Sequence, residues 1–218
     1  MSTATRTFTD ARAWARTGTE LMLDAVAGLD EAAFTAPSAL PDWTRKHLVA
    51  HVAANADALG NLVHWAAHRS RSDRCTPSVR GAAARGIAQG ARPCSADEAA
   101  LLADGTPRTA LAAGLDRLTD EQWRREVVTA QGRTVPATEL PWMRAREVCV
   151  HAVDLGTGGV AFADLPKGFL TALVEEIRAK RALTELPDGP LPEVAAWLAG
   201  RPHALAAPEL GPVALRDE

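Results

Sequence analysis

The segment Glu139–Gly156 constrains the fold most, because it combines helical periodicity with two side chains that can bind a metal. Glu147 and His151 lie four residues apart, about one helical turn, so both project from the same face of a helix. Apolar neighbours such as Val148 predict that this face is at least half buried. Cys149, between the two, points to a different face and is expected to be a small core residue.

A buried carboxylate at this position needs a partner, and the spacing leaves two kinds open. A carboxylate and a neutral imidazole supply two ligands of a divalent metal site, and His51 on another predicted helix is the candidate third. Alternatively, Arg144 or Arg146 forms an ion pair with Glu147 along the helix. A single histidine on an amphipathic helix is more often structural than a metal ligand, so the residues alone favour neither reading.

The composition indicates an ordinary globular protein. Of its 218 residues, 47% are hydrophobic and 23% are charged, and the net charge of −3 gives no electrostatic reason to expect nucleic acid. No apolar run approaches the length of a membrane span, and the N-terminal residues have no apolar core typical of a secretory signal. The three cysteines form no paired close spacing, which favours the reducing cytoplasm.

Periodicity and capping signals predict a helix bundle with one hairpin. EVVTAQGRTV predicts a β-hairpin that turns at Gln131-Gly132. Gly158-Gly159 is a plausible hinge, with a further helix at 166–183 and a short one ending at Gly200. The other predicted helices cover 8–27, 43–68, 95–117, a short stretch around Trp123 and 139–156. The predicted N-caps of the last four are, in order, Asp42, Ser95 (in a capping box with Glu98), Thr119 and Thr138.

Three segments resemble a known family: WTRKHLVAHVAANADALGNLVHWA, VTAQGRTVPATELPWMRAREVCVHAVDLG and FADLP. They are similar to the mycothiol-dependent maleylpyruvate isomerases, which belong to the DinB-like helix-bundle superfamily, from Thr9 to about Pro166. The resemblance implies a mainly α fold. We expect a DinB-like four-helix bundle with a small hairpin insertion at residues 1–157, followed by a shortened α/β C-terminal region at 158–218.

The resemblance also implies a zinc site, with His51, Glu147 and His151 as its ligands. His47 would then contact one of the ligands without binding the metal itself, or would have a structural role. Asn55 and Asp154, each about one turn from a ligand, are candidates to orient the imidazoles, although a solvated polar side chain fits them equally well.

An arginine near the C-terminus is implied by the match of LPEVAAWLAGR to the family's last helix. This places Arg201 as a catalytic residue that pairs with a substrate carboxylate, unless it only complements the helix dipole. Arg80 and Arg85 could assist in binding substrate or thiol, or be solvated loop charges.

Two departures from the family pattern leave the substrate open. The strand-rich part of the C-terminal region is mostly missing, and Arg74-Cys75-Thr76 replaces an apolar-aromatic pair.

The implied function is a zinc- and mycothiol-dependent cis–trans isomerase of the gentisate pathway. A thiolate favoured by the metal adds to the cis double bond of maleylpyruvate or a related acid, the bond rotates, and expulsion of the thiolate leaves fumarylpyruvate. One alternative is a mycothiol S-transferase, which would release the adduct; another is a non-catalytic module that kept the metal triad. The expected partners are a small-molecule substrate and mycothiol, without nucleic acid or membrane.

Overall fold

The computed structural model describes residues 6–69 and 106–211. These ranges are mainly helical, as predicted, and have a DinB-like fold. In both ranges, each helix falls short of the length or the apolarity that a membrane span requires. The elements in chain order are α1 (Phe8–Val26), α2 (Glu31–Thr35), α3 (Arg45–His68), α4 (Thr106–Arg117), α5 (Asp120–Trp123), β1 (Glu126–Val128), β2 (Thr134–Pro136), a 3-10 turn (Ala137–Glu139), α6 (Leu140–Asp154), a second 3-10 turn (Phe162–Asp164), α7 (Lys167–Lys180) and α8 (Leu191–Leu198).

Helices α1, α3, α4 and α6 form the bundle, and α6 packs between α1 and α3. The close approach of α1 to α6 depends on Gly18, because a Cβ there would lie 2.7 Å from the Val148 Cγ2 atom. Helix α3 runs antiparallel to α6, and Leu48 and Val52 pack with Val148, Ala152 and Leu155. This apolar contact sets the spacing between the two helices that carry the predicted metal ligands.

Two of the predicted helix caps are wrong. Helix α3 is capped by Thr44, whose hydroxyl accepts a hydrogen bond from the His47 N–H, whereas Asp42 lies in the preceding turn with a positive φ of 63°. Thr138 lies inside the 3-10 turn that leads into α6, so its hydroxyl does not cap that helix. The predicted cap at Thr119 is confirmed by its reciprocal hydrogen bonds with Gln122.

The predicted helix at 95–117 falls only in part within the described residues. Its predicted cap, Ser95 with Glu98, lies outside the described residues, and the described portion begins at Thr106.

The hairpin prediction is confirmed. β1 and β2 pair antiparallel with Val127 opposite Val135, and both valines are buried in a cluster with α3 and α4. Gly132 has a φ of +83°, a conformation that glycine adopts without steric cost, and its N–H donates to the Thr129 carbonyl. The second strand ends at Pro136, and the 3-10 turn alone separates it from the start of α6.

The C-terminal region packs directly on the bundle. Trp14 of α1 and Trp142 of α6 belong to the same buried cluster as Phe169 of α7 and Leu198 of α8. Both strands of the described chain lie in the hairpin, so residues 158–211 contain only helices, turns and irregular segments. The boundary at residue 157 stays a prediction, since the apolar core is continuous across it.

Candidate metal centre

Helices α3 and α6 bring three potential metal ligands together. The His51 Nε2 atom lies 2.9 Å from Glu147 Oε2, and the His151 Nε2 atom lies 3.3 Å from the same oxygen. One donor atom from each residue falls within a cluster whose members are all within 4.8 Å of one another. The structure therefore juxtaposes the three residues as expected, while their role as ligands stays a prediction.

The charge state of the cluster follows from its burial and its hydrogen bonds. Glu147 is 3% exposed; burial opposes ionisation, but the hydrogen bonds to His151 and His51 keep the pKa of its carboxyl well below the usual range. Burial also opposes a charge on His151, yet its bonds to Asp154 and Glu147 raise the pKa of its ring to about 9. Two imidazoles with one carboxylate are a donor set typical of Zn²⁺, which would displace the proton from His151 on binding.

The structure does not show the alternative of a helical ion pair at Glu147. Arg144 Nη1 donates to the Val52 carbonyl and to Asn55 Oδ1, both at 2.8 Å. Arg146 instead pairs with Glu176 of α7. Asn55 consequently contacts Arg144 rather than an imidazole, because its position on α3 faces an earlier turn of α6 than His51 does.

Asp154 lies where an imidazole-orienting residue was predicted. Its Oδ2 atom is 2.9 Å from His151 Nδ1, three residues earlier on α6, and the side chain is 1% exposed. A carboxylate at this nitrogen favours the tautomer that leaves Nε2 free to face the centre.

Arg201, which we predicted to pair with a substrate carboxylate, contacts a carboxylate of the protein, and its role toward substrate stays a prediction. Its Nε and Nη2 atoms donate to the two oxygens of Asp154 at 2.9 and 2.8 Å, and Nη1 donates to the Ala199 carbonyl at 2.6 Å. The residue is 6% exposed. The guanidinium therefore contacts the carboxylate behind His151, a pairing that local sequence spacing did not reveal.

His47 and Trp43 complete the described surroundings. The His47 Nδ1 atom accepts from the Thr44 N–H at 3.2 Å, so His47 is part of the α3 cap. Trp43 packs edge-on against the His51 ring with centroids 5.6 Å apart. Trp43 was missed in the sequence, where an aromatic residue before a helix carries no signal for a contact eight residues later.

A cavity of about 490 Å³ lies between α1, α4 and α6. Arg16 and Arg144 line it, together with apolar side chains such as Leu23 and Leu111. Arg144 precedes Glu147 by three residues on α6, but the described residues that line the cavity do not include His51, Glu147 or His151.

Some predicted residues fall elsewhere. Arg80, Arg85 and Cys75 lie outside the described residues. Cys149 is a core residue, as predicted: it faces Trp14 of α1, and burial raises the pKa of its thiol to about 12.

The comparison with family models identifies the bundle. Residues 15–156 match the model of the mycothiol maleylpyruvate isomerase N-terminal domain. This matched range includes all three candidate ligands. The chain belongs to this isomerase family. No curated protein matches it.

Two solved structures of the family are similar along almost the whole chain. One is the mycothiol-dependent maleylpyruvate isomerase, at 30% identity, and the other is a histidine-to-alanine mutant of a protein with that name, at 32% identity. Each match has a TM-score of 0.79 and covers 95% of this chain and 98% of the other. The regions on both sides of residue 157 therefore lie within the similarity to the isomerase.

Proposed function

We propose that this protein is a metal- and mycothiol-dependent cis–trans isomerase of maleylpyruvate or a related unsaturated dicarboxylic acid, held in the cytoplasm. The observation that carries the proposal is the convergence of His51, Glu147 and His151 in a buried cluster. Membership of the isomerase family supports the reaction class. Zinc is the proposed metal.

The protein's own residues have defined parts in this proposal. His51, Glu147 and His151 would hold the metal. A bound divalent metal favours the thiolate form of a coordinating thiol, which is the nucleophile that a thiol cofactor offers to a cis double bond. Glu147 contributes a negative charge that is already formed at neutral pH, and the Asp154 contact keeps the His151 Nε2 atom directed at the centre.

The cavity between α1, α4 and α6 is a candidate site for an organic anion. Its volume of about 490 Å³ is within the range of small-molecule sites. Its lining combines apolar side chains with three arginines, which outnumber the carboxylates of Glu20 and Asp116. A dicarboxylic acid would gain both apolar contact and attraction to positive charge there. The proposed cavity is thus distinct from the place of Arg201, which faces Asp154.

The first experiment is metal analysis of the purified protein beside a His51→Ala variant. We expect about one equivalent of metal in the wild type and a large loss in the variant, because removing one of three protein ligands greatly weakens metal binding. His64→Ala is the matched control, since His64 is exposed on the same helix. Unchanged metal content in His51→Ala would remove His51 from the site.

The second experiment follows maleylpyruvate and mycothiol together. An isomerase converts the substrate without consuming thiol, and the His51→Ala variant should lose the activity. Stoichiometric thiol consumption would instead identify an S-transferase. A metal-loaded protein that binds no mycothiol would indicate a non-catalytic module.

A further inference from the structure

A chain of buried polar contacts leads from the C-terminal region to the metal centre. Arg201 donates from Nε and Nη2 to the two carboxylate oxygens of Asp154, at 2.9 and 2.8 Å. Asp154 Oδ2 lies 2.9 Å from His151 Nδ1, and His151 Nε2 lies 3.3 Å from Glu147. Each of these four side chains is less than a tenth exposed.

The position of Arg201 depends on the end of α8. Gly200 has a φ of +67°, which turns the chain back so that the Arg201 N–H donates to the Ala196 carbonyl at 2.9 Å. Ala195 and Leu198 of the same helix are fully buried against the bundle. The packing of α8 therefore places the Arg201 guanidinium at the C-terminal end of α6.

Asp154 needs this guanidinium in order to act on His151. A carboxylate that is 1% exposed is strongly destabilised without a positive partner, and it would then move away from His151 toward water. The bidentate contact of Arg201 offsets this cost and fixes the plane of the carboxylate. The fixed Oδ2 atom then accepts the hydrogen bond from His151 Nδ1–H, and Nε2 is left to face the centre.

We propose that Arg201 is a positioning residue for the metal centre, acting through Asp154 on His151, and that the C-terminal region thereby sets the metal affinity of the bundle. This inference rests on the proposed function only in taking His151 as a metal ligand. It differs from a substrate-carboxylate role, in which Arg201 would change substrate binding and leave metal affinity alone.

The test compares the metal affinities of Arg201→Met and Asp154→Asn with wild type, by competition with a chelating dye. We expect each variant to bind Zn²⁺ about 10–100-fold more weakly, the range seen when the partner behind a metal ligand is removed. Because both residues act through one path, the double variant should be weakened much less than the product of the single effects. Arg201→Lys, which restores a single charge, should recover part of the affinity.

Arg181→Met is the matched control. Arg181 also contacts the end of α8, donating from Nε to the Leu198 carbonyl at 2.9 Å, and its Nη2 atom donates to the Gly211 carbonyl, away from the metal centre. Its removal should leave Zn²⁺ affinity within about twofold while lowering thermal stability, as expected for a purely structural contact. The visible spectrum of the Co²⁺-loaded protein should change in Arg201→Met and remain unchanged in Arg181→Met.

The outcomes separate this inference from the proposed function. Wild-type metal affinity and Co²⁺ spectrum in Arg201→Met would overturn the inference, and a raised KM in that case would assign Arg201 to the substrate. A wild-type protein that binds no metal would overturn the proposed function itself. Should Arg201→Met not fold, unchanged metal affinity in both Arg201→Lys and Asp154→Asn would equally overturn the inference.

Discussion

His151 and His51 face the same carboxylate, but the protein holds the two rings by different means. His151 is bonded to Asp154 through Nδ1, and Asp154 is in turn bonded to Arg201 from the C-terminal region. In the described part of the chain, the polar contact of the His51 side chain is with Glu147, and its ring packs against Trp43. One imidazole is thus fixed by a buried ionic network and the other mainly by an aromatic edge.

The contacts that hold the two rings should contribute different free energies of stabilisation. Breaking a buried hydrogen bond to a charged group costs about 1–3 kcal/mol, whereas an aromatic pair contributes about 0.5–1.5 kcal/mol beyond its burial. We therefore expect the His151 side of the centre to be the more rigid and the costlier to disturb. The following measurements test that asymmetry, beginning with the largest expected effect.

Removing either imidazole should abolish tight metal binding, but the two variants should differ in folding stability. His51→Ala and His151→Ala each delete one of three ligands, and we expect Zn²⁺ affinity to fall by more than about 100-fold in both. In the metal-free protein, His151→Ala should lower the free energy of unfolding by about 1–2 kcal/mol more than His51→Ala, because it also removes the bond to Asp154. Urea denaturation with a chelator present measures this, and equal losses would remove the asymmetry.

The stability of the metal-free protein should decrease as pH rises toward 9. The pKa of His151 is raised in the folded state, from 6.5 to about 9, so the folded protein binds this proton more tightly than the unfolded chain does. The resulting stabilisation is fully present below about pH 6.5 and is lost as the pH rises through about 9. Thermal unfolding between pH 6 and 9.5, with a chelator present, should show this slope.

Two variants show which ring is responsible for that slope. His51→Gln should retain it, since Asp154 still holds the proton on His151. His151→Gln should remove most of it. A slope that disappears in His51→Gln instead would assign the shifted proton to the other side of the centre.

Weakening the aromatic support of His51 should have a smaller effect than breaking the Arg201–Asp154 pair. Trp43→Leu removes the ring edge that packs at 5.6 Å, and we expect Zn²⁺ affinity to fall by about 3–10-fold. Trp43→Phe should retain most of the affinity because it keeps an aromatic edge. If Trp43→Leu weakens the site as much as Arg201→Met does, the two rings are supported equally.

Cys149 should have the smallest effect, although it lies between two ligands in the sequence. Its thiol contacts the Trp14 carbonyl at 3.6 Å, and burial raises the pKa of the thiol to about 12. Iodoacetamide at pH 8 should therefore leave Cys149 unmodified in the folded protein, as read by peptide mass spectrometry, and modify it after unfolding. Cys149→Ala should change Zn²⁺ affinity by less than about twofold.

The predictions from sequence succeeded where the physical cause is local. The spacing of Glu147 and His151 determines that they share a face of α6, and glycine at 132 suits the turn of a short antiparallel hairpin. The caps show the limit of such reasoning, because Asp42 and Thr44 are both chemically able to cap α3. The turn before the helix places Asp42 at positive φ, and Thr44 takes the capping position.

The helical faces, the hairpin and the shared face of Glu147 and His151 could be predicted from the sequence, because each depends on interactions between near neighbours in the chain. The tertiary structure alone decided which charges meet. Arg201 pairs with Asp154 rather than facing the cavity, and Arg144 contacts Asn55 rather than Glu147. Such pairings depend on how helices pack, since a buried charge bonds to whichever opposite or polar group the packing brings within reach.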